Sequence, residues 1–345
     1  MTRRFDDILD EVTLGLNTLF GPWSEHIETR DWIFEGPVNL IRARTTNGSI
    51  VVRGWDQDRV SVEASKTVRG PTEGLAQALA ARVRIFVEQG GKGVYLRTLH
   101  PHPPLGSVFF VHYTIDVPRR ADVALSTRYG GITATGLEGA IEAKTRNGHI
   151  QLRETLGPAS LYTASGRVRI IDTDGTVDAE SGKGNIEVEN ASGRGQLRTT
   201  SGDIVICGSE GTIEARSRDG DLMLSDGRGG TEMETVKGDI QACLAHLDSA
   251  SRFTTGAGSI HLDLAAINGS VDIRTDAGAV ELWLPDGFAG ELNAATDQGD
   301  IDCKLPITPT LQTNTLLRGR LGTGEGPLVR AQARYGSIHI RSRTS

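Results

Sequence analysis

Residues 199–224, "TTSGDIVICGSEGTIEARSRDGDLML", state one pattern three times: a glycine, one residue, then an aliphatic alternating with a polar side chain. Gly202, Gly211 and Gly220 stand nine residues apart, and Ile204, Ile206, Ile213, Leu222 and Leu224 follow them at period two. Alternation at period two turns one face of an extended strand toward a core. A helix is excluded, because glycine every nine residues and strict alternation both oppose a 3.6-residue period.

Outward from that stretch the same glycine recurs at Gly130, Gly148, Gly166, Gly184, Gly202, Gly220 and Gly238, each 18 residues after the last. The interval then loosens through Gly258, Gly278 and Gly299 to Gly336, and an early copy stands at Gly48. Three residues before most copies is a hydroxyl side chain, as in Thr145, Thr163, Ser181, Thr199, Ser217 and Thr235. A second glycine follows nine residues later at Gly139, Gly157, Gly175, Gly193, Gly211 and Gly229.

A constant short period of strand and turn predicts an all-β solenoid with coils of about 18 residues, each coil hydrogen-bonding to the next. Ile132, Ile150, Val168, Ile186, Ile204 and Leu222 form its expected core row. Stacked at the strand spacing of about 4.8 Å, twelve copies predict a rod about 50 to 60 Å long. The glycine supplies the positive φ or close approach of a corner, and the Thr or Ser hydroxyl is expected to bond backbone across the same corner.

Composition agrees. The 345 residues are 37% apolar but only 5% aromatic, which suits a thin interior lined by Val, Ile, Leu and Ala. A net charge of -7 argues against a nucleic-acid partner, since backbone-binding proteins carry a basic footprint. The start, "MTRRFDDILDEV", lacks the apolar run of a secretory signal, and the most apolar stretch, "VFFVHYTIDV" at 108–117, reads as a strand rather than a membrane insertion. Cys207 and Cys243 are two coils apart, about 10 Å, beyond disulfide reach. With Cys303 they are expected to be free thiols in a cytoplasmic, reducing setting.

Residues 3–20 place Phe5, Ile8, Leu9, Val12, Leu16, Leu19 and Phe20 on one helical face, stopped by Gly21 and Pro22. Residues 1–36 are therefore read as an amphipathic helix and linker that caps the solenoid or docks a partner. A single solenoid domain is expected over 37–345, interrupted at about 56–120 by a non-repeating insert with strands and a helix near 74–83. His100, His102 and His112 flank a proline-rich loop, without the spacing of a metal centre.

The segments "GSIVVRGWDQDRVSVEAS" at 48–65, "YTIDVPRRADVALSTRYGGITATGLEGAIEAKTRNGHIQL" at 113–152 and "ARYGSIHIRS" at 333–342 carry a resemblance. With the repeats, they make residues 37–343 similar to the bacterial adhesin-like β-strand repeat family, related to the auto-transporter adhesin head (GIN-like) domain. The resemblance implies a β-solenoid without an established activity and supplies no catalytic residues. Members of that family commonly sit behind a signal or transmembrane segment.

No phosphate-binding loop, nucleophile elbow, zinc-protease motif or Cys-x-x-Cys pair occurs, so an enzyme is not expected. The leading reading is a scaffold whose side-chain ladders bind a protein partner or further copies of the chain. A carbohydrate-binding or adhesin-like surface module is the alternative. Trp23, Trp32, Trp55 and Trp283 are read as cap and core residues rather than a ligand platform. A third reading rests on Asp203, Asp221 and Asp239, which share one turn position in three coils about 4.8 Å apart. Such a like-charge ladder is repulsive unless screened or bridged, and calcium is the cation it would take. Arg218 and Lys237 stand close enough to neutralise it, and no cofactor is required.

Overall fold

The computed structural model describes residues 23–91, 93–100, 102, 107–323 and 325–343. The amphipathic stretch at 3–20 lies outside them. The chain forms two compact units, residues 1–139 and 140–345, and each is built on parallel β-coils, the all-β solenoid that the repeat predicts.

The first unit contains β1 (Ser24–Glu35), β2 (Leu40–Arg44), β3 (Ile50–Trp55), β4 (Arg59–Gly70), α1 (Glu73–Arg82), β5 (Arg84–Gly90), β6 (Gly93–Leu99), β7 (Val108–Pro118), β8 (Asp122–Tyr129) and β9 (Ile132–Thr135). β2 lies in parallel between β6 and β8, and β3 between β7 and β9. The coil that comes first in sequence is therefore the middle one in space. Within the stretch read as a non-repeating insert, β6 and β7 form a regular coil. Its period is hidden in the sequence because a longer connection separates its two strands. Residues 24–35, read as part of a linker, form a strand antiparallel to β4, which in turn runs antiparallel to β7.

α1 forms where "EGLAQALAAR" concentrates good helix formers, with Thr72 accepting the Leu75 N–H at its start. Its Ala76, Leu79 and Ala80 are buried. At its other end the buried Lys66 of β4 donates to the carbonyls of Ala80 (2.9 Å) and Val83 (3.4 Å) and pairs with Glu28 of β1 at 2.5 Å. A cation on the last carbonyls of a helix satisfies groups that have no intrahelical partner.

The second unit begins with β10 (Ile141–Asn147), β11 (Ile150–Thr155) and β12 (Ala159–Ser165). Four 16-residue strands follow, β13 (Val168–Lys183), β14 (Ile186–Ser201), β15 (Ile204–Asp219) and β16 (Leu222–Lys237). They stack in an 18-residue register, Val168 beside Ile186, Ile186 beside Ile204 and Ile204 beside Leu222. The expected aliphatics of these coils, Ile204 and Ile206 among them, are buried. One core row is interrupted. Gly195 stands between Val177 and Ile213, and an apolar void bordered by Ile170, Val188, Leu197 and Ile213 lies beside it.

Beyond β16 come β17 (Ile240–Leu247), β18 (Ser251–Ala257), β19 (Ile260–Ile267), β20 (Val271–Ala277) and β21 (Val280–Leu284). Here partners such as Ile240 and Ile260 are 20 residues apart, the two extra residues widening the second corner at 248–250. The final strands are β22 (Gly290–Gln298), β23 (Ile301–Cys303), β24 (Ile307–Gln312), β25 (Leu316–Leu321), β26 (Leu328–Tyr335) and β27 (Ile338–Ser342). They do not stack in sequence order. β26 inserts between β20 and β22, and β27 between β21 and β23. The Gly336 copy of the repeat thus lies inside the Gly299 copy. β25 then pairs antiparallel with β22, and β24 with β25, closing that side of the unit.

Candidate functional site

Rows of like positions run from coil to coil, and three of them carry polar chemistry. The first is the hydroxyl three residues before each glycine. Thr163, Ser181, Thr199, Ser217 and Thr235 donate to the carbonyls of Gly148, Gly166, Gly184, Gly202 and Gly220 at 3.0–3.1 Å. Thr127 does the same to Gly48 in the first unit. The bond expected within one corner is in fact made between coils. Its cause is the direction of the glycine carbonyl, which points at the next glycine: a Cβ on Gly202 would lie 2.5 Å from the Gly184 oxygen.

The second row is the residue after each glycine, and it contains the Asp ladder. Asp203, Asp221 and Asp239 do stack in successive coils. Each uses its Oδ1 to accept the backbone N–H of the next residue in the row, Asp203 from Asp221 (3.0 Å), Asp221 from Asp239 (2.8 Å) and Asp239 from Ser259 (2.7 Å). Asn185 Oδ1 accepts from Asp203, and His149 Nδ1 from Arg167 at 2.8 Å. In the first unit His112 Nδ1 accepts from Ser49 at 3.2 Å. The row therefore selects any side chain with a short-range acceptor, and a carboxylate is one way to supply it. Among the described residues no group of three or more His, Cys, Asp or Glu side chains is arranged to hold a metal ion.

The Ser49 hydroxyl also lies 2.8 Å from His112 Nδ1, a nucleophile–base distance. Among the described residues no carboxylate bonds that imidazole, and burial pushes its pKa down. The pair forms a rung of the same row. His100 packs tilted against Phe109 (ring centroids 4.4 Å apart) and meets the Thr46 hydroxyl at 2.9 Å, so it too is used within its unit.

The third row faces outward on β14, β15 and β16. Arg216 pairs with Glu214 on its own strand and with Glu232 (3.0 Å) and Glu234 (3.1 Å) on the next, while Arg198 reaches Glu214 (3.4 Å) and Asp178 (3.5 Å). These side chains are spaced by the coil repeat and linked from strand to strand by ion pairs. Their sequence signal was the polar residue between core aliphatics, which alternation marks as outward but does not mark as paired.

The three cysteines are free, and the Ser225 position separates Cys207 from Cys243 in the stack. Among the described residues no helix is long and apolar enough to cross a membrane.

No family model and no curated protein matches the sequence. Solved structures do match. A protein from Parabacteroides distasonis provisionally described as an adhesin shares 13% identity, covering 74% of this chain and 96% of its own, with a TM-score of 0.38. A Clostridium sporogenes protein provisionally described as a cell adhesion protein shares 9%, covering 92% and 100%, at a TM-score of 0.21. A second P. distasonis protein, provisionally described as lipid binding, shares 12%, covering 91% and 96%, at 0.29. The structural neighbours thus include bacterial proteins with adhesin descriptions, the group the sequence resembles. At such identities and TM-scores, what this chain does has to be read from its own residues.

Proposed function

We propose that this chain is a non-enzymatic interaction scaffold whose stacked coils hold an outward lattice of charged side chains in fixed register for a macromolecular partner. The carrying observation is the braced network of Arg198, Glu214, Arg216, Glu232 and Glu234 across three adjacent coils. Side chains already immobilised by one another lose little further entropy when a partner docks, which favours binding through that face. The polar rows that resemble chemistry are spent on joining coils.

The partner docks side-on. A bare solenoid end would present unpaired strand groups to another chain, but β24 carries Pro309 and a register shift between Pro309 and Leu311. Both features oppose strand addition at that edge. Free thiols, with Cys207 exposed, fit a reducing compartment.

The test is site-specific photo-crosslinking in the producing cell, with the crosslinking side chain placed at Gln196 on the lattice or at Thr310 on β24. Adducts to another macromolecule from position 196 and none from 310 are expected. Adducts from 310 alone, or turnover of a substrate by the purified chain, would overturn the reading.

A further inference from the structure

Trp283 is the one tryptophan of residues 140–345, and it does not join the core. On β21 its neighbours Leu282 and Leu284 are fully buried, so alternation turns the indole outward, where it is half-buried. Asp263 of β19 stands beside it on one side and Arg341 of β27 on the other. Trp283, Glu281, His339 and Arg341 line an open cleft of about 290 Å³, near the lower end of ligand-pocket sizes of about 300 Å³.

The guanidinium groups around this cleft are already paired, and its carboxylates have polar partners. Glu281 meets His261 Nδ1 at 3.0 Å, Arg341 binds the Asp302 carboxylate at 2.7 Å and two backbone carbonyls, and Arg343 lies 3.0 Å from Asp263. Among the described residues no cation is placed over the Trp283 ring. Trp55, by contrast, has Arg59 over its ring at 5.3 Å and its N–H bonded to the Arg59 carbonyl. His339 turns its Nδ1 inward, buried without a hydrogen bond and 4.0 Å from the Asp302 carboxylate, while its side chain stays 39% exposed, which leaves the Nε2 edge toward solvent.

A flat apolar surface rimmed by planar polar groups of balanced charge selects a ligand that is apolar on one face and hydroxylated at its edge. An anionic ligand would find no uncompensated cation, and a wholly apolar one would desolvate the polar rim without replacing its hydrogen bonds. A sugar ring has both required surfaces, a C–H face and equatorial hydroxyls. We propose that the Trp283 cleft binds a neutral saccharide ring, stacked on the indole with its hydroxyls bonded by Glu281 and His339. The proposal rests on the scaffold reading, since it needs a chain that holds a ligand without transforming it.

The experiment titrates the full chain with neutral gluco-, manno- and galacto-configured tetrasaccharides and with tetragalacturonate, reading tryptophan fluorescence and calorimetry and analysing the sugar afterwards for cleavage. Saturable binding of a neutral tetrasaccharide is expected, weakened at least about tenfold in Trp283→Ala, and retained within about threefold in Trp283→Phe. Glu281→Gln, which keeps the fold's contacts but changes the rim, should weaken it severalfold if Trp283→Ala proves unstable. No saturable binding by any neutral sugar, undiminished binding in both Trp283→Ala and Glu281→Gln, or preference for tetragalacturonate would overturn the proposal alone. Cleavage of the sugar would instead overturn the scaffold reading.

Discussion

The Thr199 hydroxyl donates to the carbonyl oxygen of Gly184, 3.1 Å away in the neighbouring coil, at a site where Thr199 is buried. Replacing it with valine keeps the shape and removes the donor. Losing a hydrogen bond to a half-buried carbonyl costs about 0.5 to 1.5 kcal/mol. Thr199→Val should therefore lower the urea midpoint, whereas Thr199→Ser should fall between it and the parent. A Thr199→Val protein with unchanged unfolding would mean that the hydroxyl row does not join the coils.

Two glycines in different rows should respond to alanine in opposite directions. At Gly202, φ is +146° and an added Cβ would lie 2.5 Å from the Gly184 oxygen, so the coils must part. Gly195 has no such obstacle: the nearest atom to an added Cβ is Ile213 Cγ1 at 4.0 Å, beside the apolar void. A methyl buried there contributes about 0.8 kcal/mol, and the loss of glycine's backbone freedom adds about 0.5 to 1 kcal/mol. Gly195→Ala should raise the melting temperature and Gly202→Ala should lower it, as read by calorimetry. Equal effects at the two positions would sink the distinction between corner and core.

Much of this was legible in the sequence because it repeats. Gly202 and Thr199 recur at a fixed interval, and Ile204 and Ile206 alternate, so coil length, corner and core follow from one dimension. The order of the coils at the end of the chain does not, since nothing local to Gly336 says that it stacks between Gly278 and Gly299 rather than beyond Gly299. The Trp283 cleft was missed for that reason. His339 and Arg341 reach Glu281 and Trp283 only because β27 inserts beside β21. The Asp ladder was visible as a row, but alternation cannot show that Asp203 Oδ1 accepts the Asp221 N–H, the contact that gives the row its purpose.

That contact separates an acceptor role from a cation role for Asp221. Its Oδ1 accepts the Asp239 N–H at 2.8 Å, and an asparagine there would accept equally well, as Asn185 does for Asp203. Asp221→Asn should leave stability within about 0.5 kcal/mol of the parent, whereas Asp221→Ala should cost about 1 kcal/mol or more. Calcium or a chelator should leave the melting temperature of the parent unchanged. A calcium-dependent rise that Asp221→Asn abolishes would favour the metal reading instead.

Acid should weaken the fold in two stages. Burial pushes His112 down from its ordinary pKa of 6.5, and burial together with Arg167 does so for His149. Each Nδ1 accepts a backbone N–H, so protonation there would break a rung. Below about pH 6.5 the unfolded chain binds protons that these folded imidazoles refuse, so stability falls with pH until it passes the folded pKa values. In the second stage the carboxylates act. The hydrogen bond from Lys66 holds Glu28 below its ordinary 4.5, and the Arg341 guanidinium holds Asp302 below 3.8. Their contribution is present above those ordinary values and is lost as pH drops through the lowered ones. His149→Asn, which puts the acceptor of Asn185 into the same row, should flatten the stability profile below about pH 6.5 and leave the carboxylate stage in place. Calorimetric melting of parent and variant across that range decides it, and parallel curves would remove His149 from the first stage.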